Sequence, residues 1–232
     1  MALIGRSVIC VGMGNEGAQA LHTSGTLTQG QEFQVQLNVA QYQTGINVQL
    51  WKQYVDQIEV GLIHPNGQRV GPFQEILGPQ RFSVGLTEIL IYYGKPSPYS
   101  LSQEIFIDFI PRGQYVDSGT WRIVLIPRSI VDGRYDLWLP GGGVLNQDTA
   151  FPYPTPDTTL TIPSTSRRVI SVGAYNSRLM SYADFSGRGF TRVLEEIKPD
   201  LAAPGVDIRT EEVMLPVPEL PLPHLLSQGQ QR

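Results

Sequence analysis

Cysteine is almost missing: one residue, Cys10, in a chain of 232. That excludes an internal disulfide framework and any zinc site built from several cysteines. Only three histidines occur, widely spaced, so a histidine-rich metal site is not expected. Charged residues make up 16% of the chain and the net charge is −4, so no electrostatic footprint for nucleic acid or an anionic membrane is present. No apolar run approaches the length of a membrane span, and the opening Met-Ala-Leu-Ile-Gly-Arg is not a secretory signal. What the chain does have is 41% hydrophobic residues, 24 glycines and 18 prolines. This describes a folded, turn-rich protein in which long helices are scarce.

The first segment, Ser7-Val8-Ile9-Cys10-Val11, is a short β-rich apolar run ending at Gly12-Met13-Gly14-Asn15-Glu16-Gly17. A strand without polar alternation is expected to be covered on both faces, as in a parallel sheet. The one clear partner of the same kind is Arg168-Val169-Ile170-Ser171-Val172-Gly173-Ala174, so the parallel sheet is expected to be incomplete. With neighbours lacking, Val8, Ile9, Val11, Val169, Ile170 and Val172 should be left partly exposed.

Between these runs the pattern turns to alternation. Phe33, Val35, Leu37 and Val39 alternate with polar residues, as do Ile46, Val48 and Leu50; Ile58, Val60 and Leu62; Ile105, Ile107 and Phe109; Trp121, Ile123 and Leu125; and Tyr135, Leu137 and Leu139. Pro65-Asn66-Gly67, Asp117-Ser118-Gly119, Asp132-Gly133 and Pro140-Gly141-Gly142-Gly143 supply the turns. Many half-buried strands at short spacing predict an antiparallel β-sandwich or jelly roll over 25–160. Phe151-Pro152-Tyr153-Pro154-Thr155-Pro156 closes it as a stiff connector.

Gly12-x-Gly14-x-x-Gly17 after a strand has the spacing of a dinucleotide-binding loop, which requires a following helix and a second parallel strand. Here the chain passes instead through Thr23-Ser24-Gly25 into antiparallel β, which argues against a nucleotide site. Asn-Glu-Gly at the end of a buried strand, in the context Val11-Gly12-Met13-Gly14-Asn15-Glu16-Gly17, resembles the oxyanion-hole segment of the subtilisin-like serine proteases, in which the Asn carboxamide N–H faces the developing oxyanion. Taken alone, it would be a tight turn with Asn15 left-handed.

Three further blocks follow: Ile162-Pro163-Ser164 leading into Val169-Ile170-Ser171-Val172-Gly173-Ala174; then Phe185-Ser186-Gly187-Arg188-Gly189; then Lys198-Pro199-Asp200-Leu201-Ala202-Ala203-Pro204-Gly205. Together with Val11-Gly12-Met13-Gly14-Asn15-Glu16-Gly17, they stand in the order of the subtilisin-like serine proteases, and the chain resembles that family. The large insert between the first and second blocks is similar to that of the clostridial Csp-type germination proteases, as is Asp132-Gly133-Arg134-Tyr135-Asp136-Leu137-Trp138. The resemblance implies peptide-bond hydrolysis by acyl transfer through Ser, His and Asp. It makes Asn15 the oxyanion-hole residue and Gly12 and Gly14 lining of the substrate cleft, with a peptide or protein as substrate. It implies no cofactor. Calcium occurs in many members of the family, but no ligand cluster is evident here. By family, the location would be secreted or spore-associated in a Gram-positive bacterium.

The catalytic Asp and His blocks of that family precede the oxyanion Asn and would lie before Met1; no Gly-His-Gly-Thr occurs in the sequence. His22 in its Thr/Ser/Gly loop and His64 before a hairpin turn are expected on the surface. Asp117-Ser118-Gly119 mimics the family's Asp block but introduces a Trp121 strand and is expected to be a turn. The nucleophile block Gly-Thr-Ser-x-Ala-Thr-Pro should follow Gly205. In its place stands a proline-rich tail whose codons, shifted by one frame, permit Gly-Ser-Gly-Thr-Ser-Phe-Ala-Thr-Pro. That suggests a frameshift near Arg209–Glu212. The expected organisation is therefore an α/β subtilisin-like core fragment, β-rich overall, with core segments 1–24 and 161–209, the sandwich 25–160, and an aberrant tail 210–232. On this reading the triad is absent and the polypeptide alone inactive; the alternatives are a non-catalytic interaction or regulatory protein, or a β-sandwich module that binds carbohydrate or protein.

Overall fold

A computed structural model describes residues 7–141, 143–192 and 196–208. Among them are sixteen strands and no helix. The residues separate into two compact units, Gln19–Thr158 and the flanking segments 7–18 and 159–208.

In the first unit, the alternation read from sequence becomes sheet faces. One antiparallel sheet holds β3 (Phe33–Val39), β10 (Gly119–Ser129), β5 (Gln57–Ile63) and β6 (Arg69–Phe73), in that spatial order. A second runs β2 (His22–Thr26), β11 (Arg134–Trp138), β4 (Ile46–Gln53), β9 (Ser102–Pro111), β8 (Thr87–Tyr93) and β7 (Gln80–Val84). Their inward residues meet in one core: Leu37, Val60, Leu62, Ile123 and Leu125 from the first sheet, and Val48, Leu50, Ile89, Ile91, Ile105, Ile107 and Phe109 from the second. Each such side chain removed from water contributes about 1.5–3 kcal/mol. β2 has no apolar alternation to reveal it, β7 offers only Phe82 and Val84 about Ser83, and β8 is a nearly continuous apolar run.

The turns are held by buried polar groups. Asp56 is 1% exposed and accepts backbone N–H bonds from Val131, Asp132 and Gly133. Trp121 is fully buried, packs edge-on to Phe109 and His64, and donates its indole N–H to the Asp117 carbonyl at 2.8 Å.

The surface expectation for two histidines is corrected. His22 is 2% exposed, its Nδ1 3.1 Å from the Thr155 carbonyl and its Nε2 3.1 Å from Asp136 Oδ1, with Trp138 stacked on the ring at 4.7 Å. His64 is 6% exposed and its Nε2 lies 3.2 Å from Asp117 Oδ2. Both partners, Asp136 in β11 and Asp117 in the loop before β10, are distant in sequence, so the local loop context could not reveal the burial. Asp117 itself serves the loop: it accepts from Leu86 N–H and Thr87 Oγ–H. Burial alone would push its carboxyl up; the bonds from Thr87, His64 and Leu86 outweigh that and hold it below its ordinary value.

The second unit is built on β12 (Ile170–Asn176). β1 (Cys10–Gly12) pairs with it in parallel, Cys10 opposite Ile170 and Gly12 opposite Val172. β16 (Leu201–Pro204) also pairs with it in parallel, Val172 opposite Leu201 and Tyr175 opposite Pro204. Here the one-partner expectation is corrected, since two strands flank β12 in parallel. β13 (Ser181–Tyr182) returns antiparallel, and β14 (Gly189–Phe190) pairs with β15 (Ile197–Lys198). The opening run is not the fully covered strand its pattern suggested. Only Cys10–Gly12 is strand, with a neighbour on one side only among the described residues; Val8 is 78% exposed, and Ile9 and, on β12, Ile170 are each 36% exposed. Val11, Val169 and Val172 are half-buried. Residues 209–232, on which the frameshift reading falls, lie outside the described residues.

Candidate oxyanion site

β1 delivers the chain into Met13-Gly14-Asn15-Glu16-Gly17, and four backbone bonds fix the course of that loop. Met13 N–H donates to the Val172 carbonyl at 3.2 Å, continuing the pairing of β1 with β12 past its last residue. The Met13 carbonyl accepts from Thr161 N–H at 3.3 Å, and the Gly14 carbonyl accepts from Gly187 N–H at 3.2 Å. Gly17 N–H donates to the Phe185 carbonyl at 2.9 Å. Asn15 therefore sits half-buried between two anchored residues, Gly14 and Gly17.

The glycines divide by what surrounds them. Gly14 carries the left-handed conformation (φ 88°) that was a possible role for Asn15, and a Cβ there would lie 2.5 Å from Thr161 Cγ2. At Gly17 a Cβ would meet the Ser186 carbonyl oxygen at 2.6 Å, and at Gly187 the Met13 carbonyl oxygen at 2.5 Å. Gly12 differs: it is exposed, and nothing lies within 4 Å of the position its Cβ would take. So Gly14, Gly17 and Gly187 allow close backbone packing, whereas Gly12 presents open backbone.

The Phe185-Ser186-Gly187 turn is held in its own right. Ser186 Oγ accepts from Ala174 N–H at 2.9 Å and donates to Tyr182 Oη at 3.0 Å; Tyr182 O–H donates to the Gly187 carbonyl at 2.7 Å. Arg188 lies over the Tyr182 ring at 5.4 Å. A chain of contacts thus runs from β12 through Ser186 and Tyr182 to the glycine that grips the loop.

The third block is an electrostatic clasp. Asp200 Oδ2 accepts from Ser171 Oγ–H at 2.6 Å, Ser171 N–H at 2.7 Å and Lys198 Nζ at 2.7 Å. The Lys198 bond first, then those from Ser171, hold the Asp200 carboxyl at about 2. Beside Asn15, partial burial pushes the Glu16 carboxyl above its ordinary value. Among the described residues, no group of three or more His, Cys, Asp or Glu converges as a metal site, so they do not fit a calcium ion held by a carboxylate cluster.

The family blocks picked out in the sequence thus meet in space. A parallel strand delivers an Asn-Glu-Gly loop, the Phe-Ser-Gly turn clamps it, and Lys-Pro-Asp pins the third strand. A model of the subtilase family matches residues 146–224. The structure of the CspB protease of Clostridium perfringens superposes with a TM-score of 0.81 at 35% identity, over 91% of this chain. This chain belongs to the subtilase family.

Within that family of serine proteases the CspB likeness puts it with the Csp branch. The match takes in 44% of the CspB chain, so this chain spans less than half the length of that relative. No curated protein sequence matches it. Sequence reasoning missed Thr161 and Tyr182, which shape and brace the loop. The only signal for Thr161 was its place just before the Ile162-Pro163-Ser164 block.

Proposed function

We propose that this chain is the part of a subtilisin-like serine endopeptidase that carries the oxyanion hole, in an α/β core interrupted by a jelly-roll insert. Asn15 would donate its carboxamide N–H to the oxygen that becomes negative when the catalytic serine attacks the scissile carbonyl. Gly12 and Gly14 would line the cleft that takes the peptide. The observation that carries the reading is the anchoring of the Asn15 loop at Met13, Gly14 and Gly17, because an oxyanion donor must be in place before charge develops. The subtilase match over residues 146–224 supports peptide or protein substrates.

A triad matching the family is not found in the sequence of this chain, so the polypeptide by itself is expected not to turn over peptides. An oxyanion hole without triad residues leaves only a small residue of the catalysis. The test has two arms. The purified chain is assayed on a fluorogenic peptide, and turnover blocked by a serine-directed inhibitor overturns the expectation of inactivity. In a complete protease containing this segment, Asn15→Ala should lower kcat by about 10²–10³ with KM little changed. An unchanged kcat would remove Asn15 from the oxyanion site.

A further inference from the structure

At one end of the sandwich, three loops are tied together by one buried side chain. Gln43 is 1% exposed. Its Oε1 accepts from Asn146 N–H at 2.9 Å and from Thr149 Oγ–H at 3.1 Å, its Nε2 donates to the Gly45 carbonyl at 2.7 Å, and its carbonyl accepts from Val116 N–H at 2.9 Å. Ala40 N–H donates to Thr149 Oγ1, and Asn146 Nδ2 donates to the Gln41 carbonyl. The segments around 40–45, 115–116 and 146–149 are therefore wired together.

What this framework presents outward differs from an ordinary loop tip. Tyr42 sits at φ 64°, a conformation an L-residue with a bulky side chain takes at a cost, yet the residue is 69% exposed. Tyr115, 40% exposed, meets it edge-on at 5.4 Å. Beside Tyr42 opens a cleft of about 530 Å³ lined by Ala40, Gln41, Tyr42, Asn146, Gln147 and Asp148. The exposed side chains of Gln41, Gln147 and Asp148 hold no partner among the described residues.

From this juxtaposition we infer a saccharide-binding site at Tyr42. An exposed, fixed aromatic ring offers the flat apolar face that the C–H face of a sugar ring covers, and amides and a carboxylate beside it match hydroxyl groups as donors and acceptors. The cleft is open and shallow, which suits one or two rings of a glycan chain. It carries a single carboxylate and no cation, so recognition rests on hydroxyls rather than on a charged group. Nothing in this inference depends on the protease reading, since every residue belongs to the Gln19–Thr158 unit.

The test titrates chitotriose, cellotriose, maltotriose and a proline-rich decapeptide into the full isotope-labelled chain, each up to about 10 mM, above the range of weak single-site binding. At least one trisaccharide should shift the backbone amides of Gln41, Tyr42, Gln147 and Asp148 in a saturable way. Tyr42→Gly removes the ring while relieving the positive φ, so it keeps the loop folded, and it should weaken binding at least about tenfold. Tyr42→Phe should retain it. No shift with any of the three sugars, shifts that map elsewhere, unchanged affinity in Tyr42→Gly, or binding of the peptide alone would each overturn the inference.

Discussion

Ser171 and Asp200 make four hydrogen bonds to each other through side chains and backbone: Ser171 Oγ–H and N–H both donate to Asp200 Oδ2, and Asp200 N–H donates to the Ser171 carbonyl at 3.0 Å and to Ser171 Oγ at 3.1 Å. Lys198 Nζ completes the set from a side chain that is 4% exposed. The pair stands just ahead of the first register pair of β12 and β16, Val172 with Leu201, and so sets where the third parallel strand joins.

The first prediction follows from that clasp. The Asp200 carboxyl titrates at about 2 in the folded chain, below its ordinary ~3.9. Its contribution is therefore complete above pH ~4 and lost as pH falls toward 2. The carboxylate is 40% exposed, so solvent screening limits the effect to about 1 kcal/mol. Acid titration of stability followed by urea midpoints should show this loss, and Asp200→Asn should abolish the part of it between pH 4 and 2. An identical acid limb in the variant would mean another carboxylate governs that range.

Gly14→Ala should destabilise the loop by about 1–3 kcal/mol, from a left-handed φ and a Cβ 2.5 Å from Thr161 Cγ2. Thr161→Gly in the same chain should recover the steric part and leave the backbone part. Thermal melts of the single and double variants measure the two terms, and full recovery would show that φ plays no role.

His22→Ala removes a buried ring that meets the Thr155 carbonyl, Asp136 and Trp138 at once. Loss of packing, together with loss of the ring N–H that serves one of these two acceptors, should cost about 2–4 kcal/mol. A double-mutant cycle with Asp136→Asn should give non-additive urea midpoints; strict additivity would mean that the two side chains do not interact.

Trp121→Ala should cost about 3–5 kcal/mol, the range for deleting a large buried aromatic. Trp121→Phe should cost less, yet still more than a volume change alone, because the Asp117 carbonyl loses its 2.8 Å donor. Denaturant unfolding of both variants ranks them, and equal losses would assign all of the effect to the bond.

Much of this was legible in the chain because period-two alternation fixes a face without outside help. β3, β4, β5, β9, β10 and β11 announce themselves in that way. β2 does not, since His-Thr-Ser-Gly-Thr has no apolar period and is a strand only because β11 pairs with it. β16 is the harder case: Leu-Ala-Ala-Pro is poor in β-formers, and what makes it a strand is β12 together with the Asp200 clasp. The burial of His22 and His64 escaped for the same reason, their partners being 114 and 53 residues away. At the candidate site, the glycine spacing and Asn15 could be read, but Thr161 could not, because nothing in a threonine tells which backbone it will lean on.

The first and last segments of the Gln19–Thr158 unit run side by side: Phe151 N–H donates to the Ala20 carbonyl and Thr155 N–H to the His22 carbonyl. Outside that unit, Met13 and Thr161 are themselves joined by a backbone bond. In effect the segments that begin and end the long excursion are tied to each other within their own unit, so its length adds little to the cost of closing the chain between Met13 and Thr161. Such a module can be lengthened, shortened or exchanged over evolutionary time while the Met13–Thr161 bond is kept, and a graft that preserves the Phe151–Ala20 and Thr155–His22 bonds inherits the same freedom.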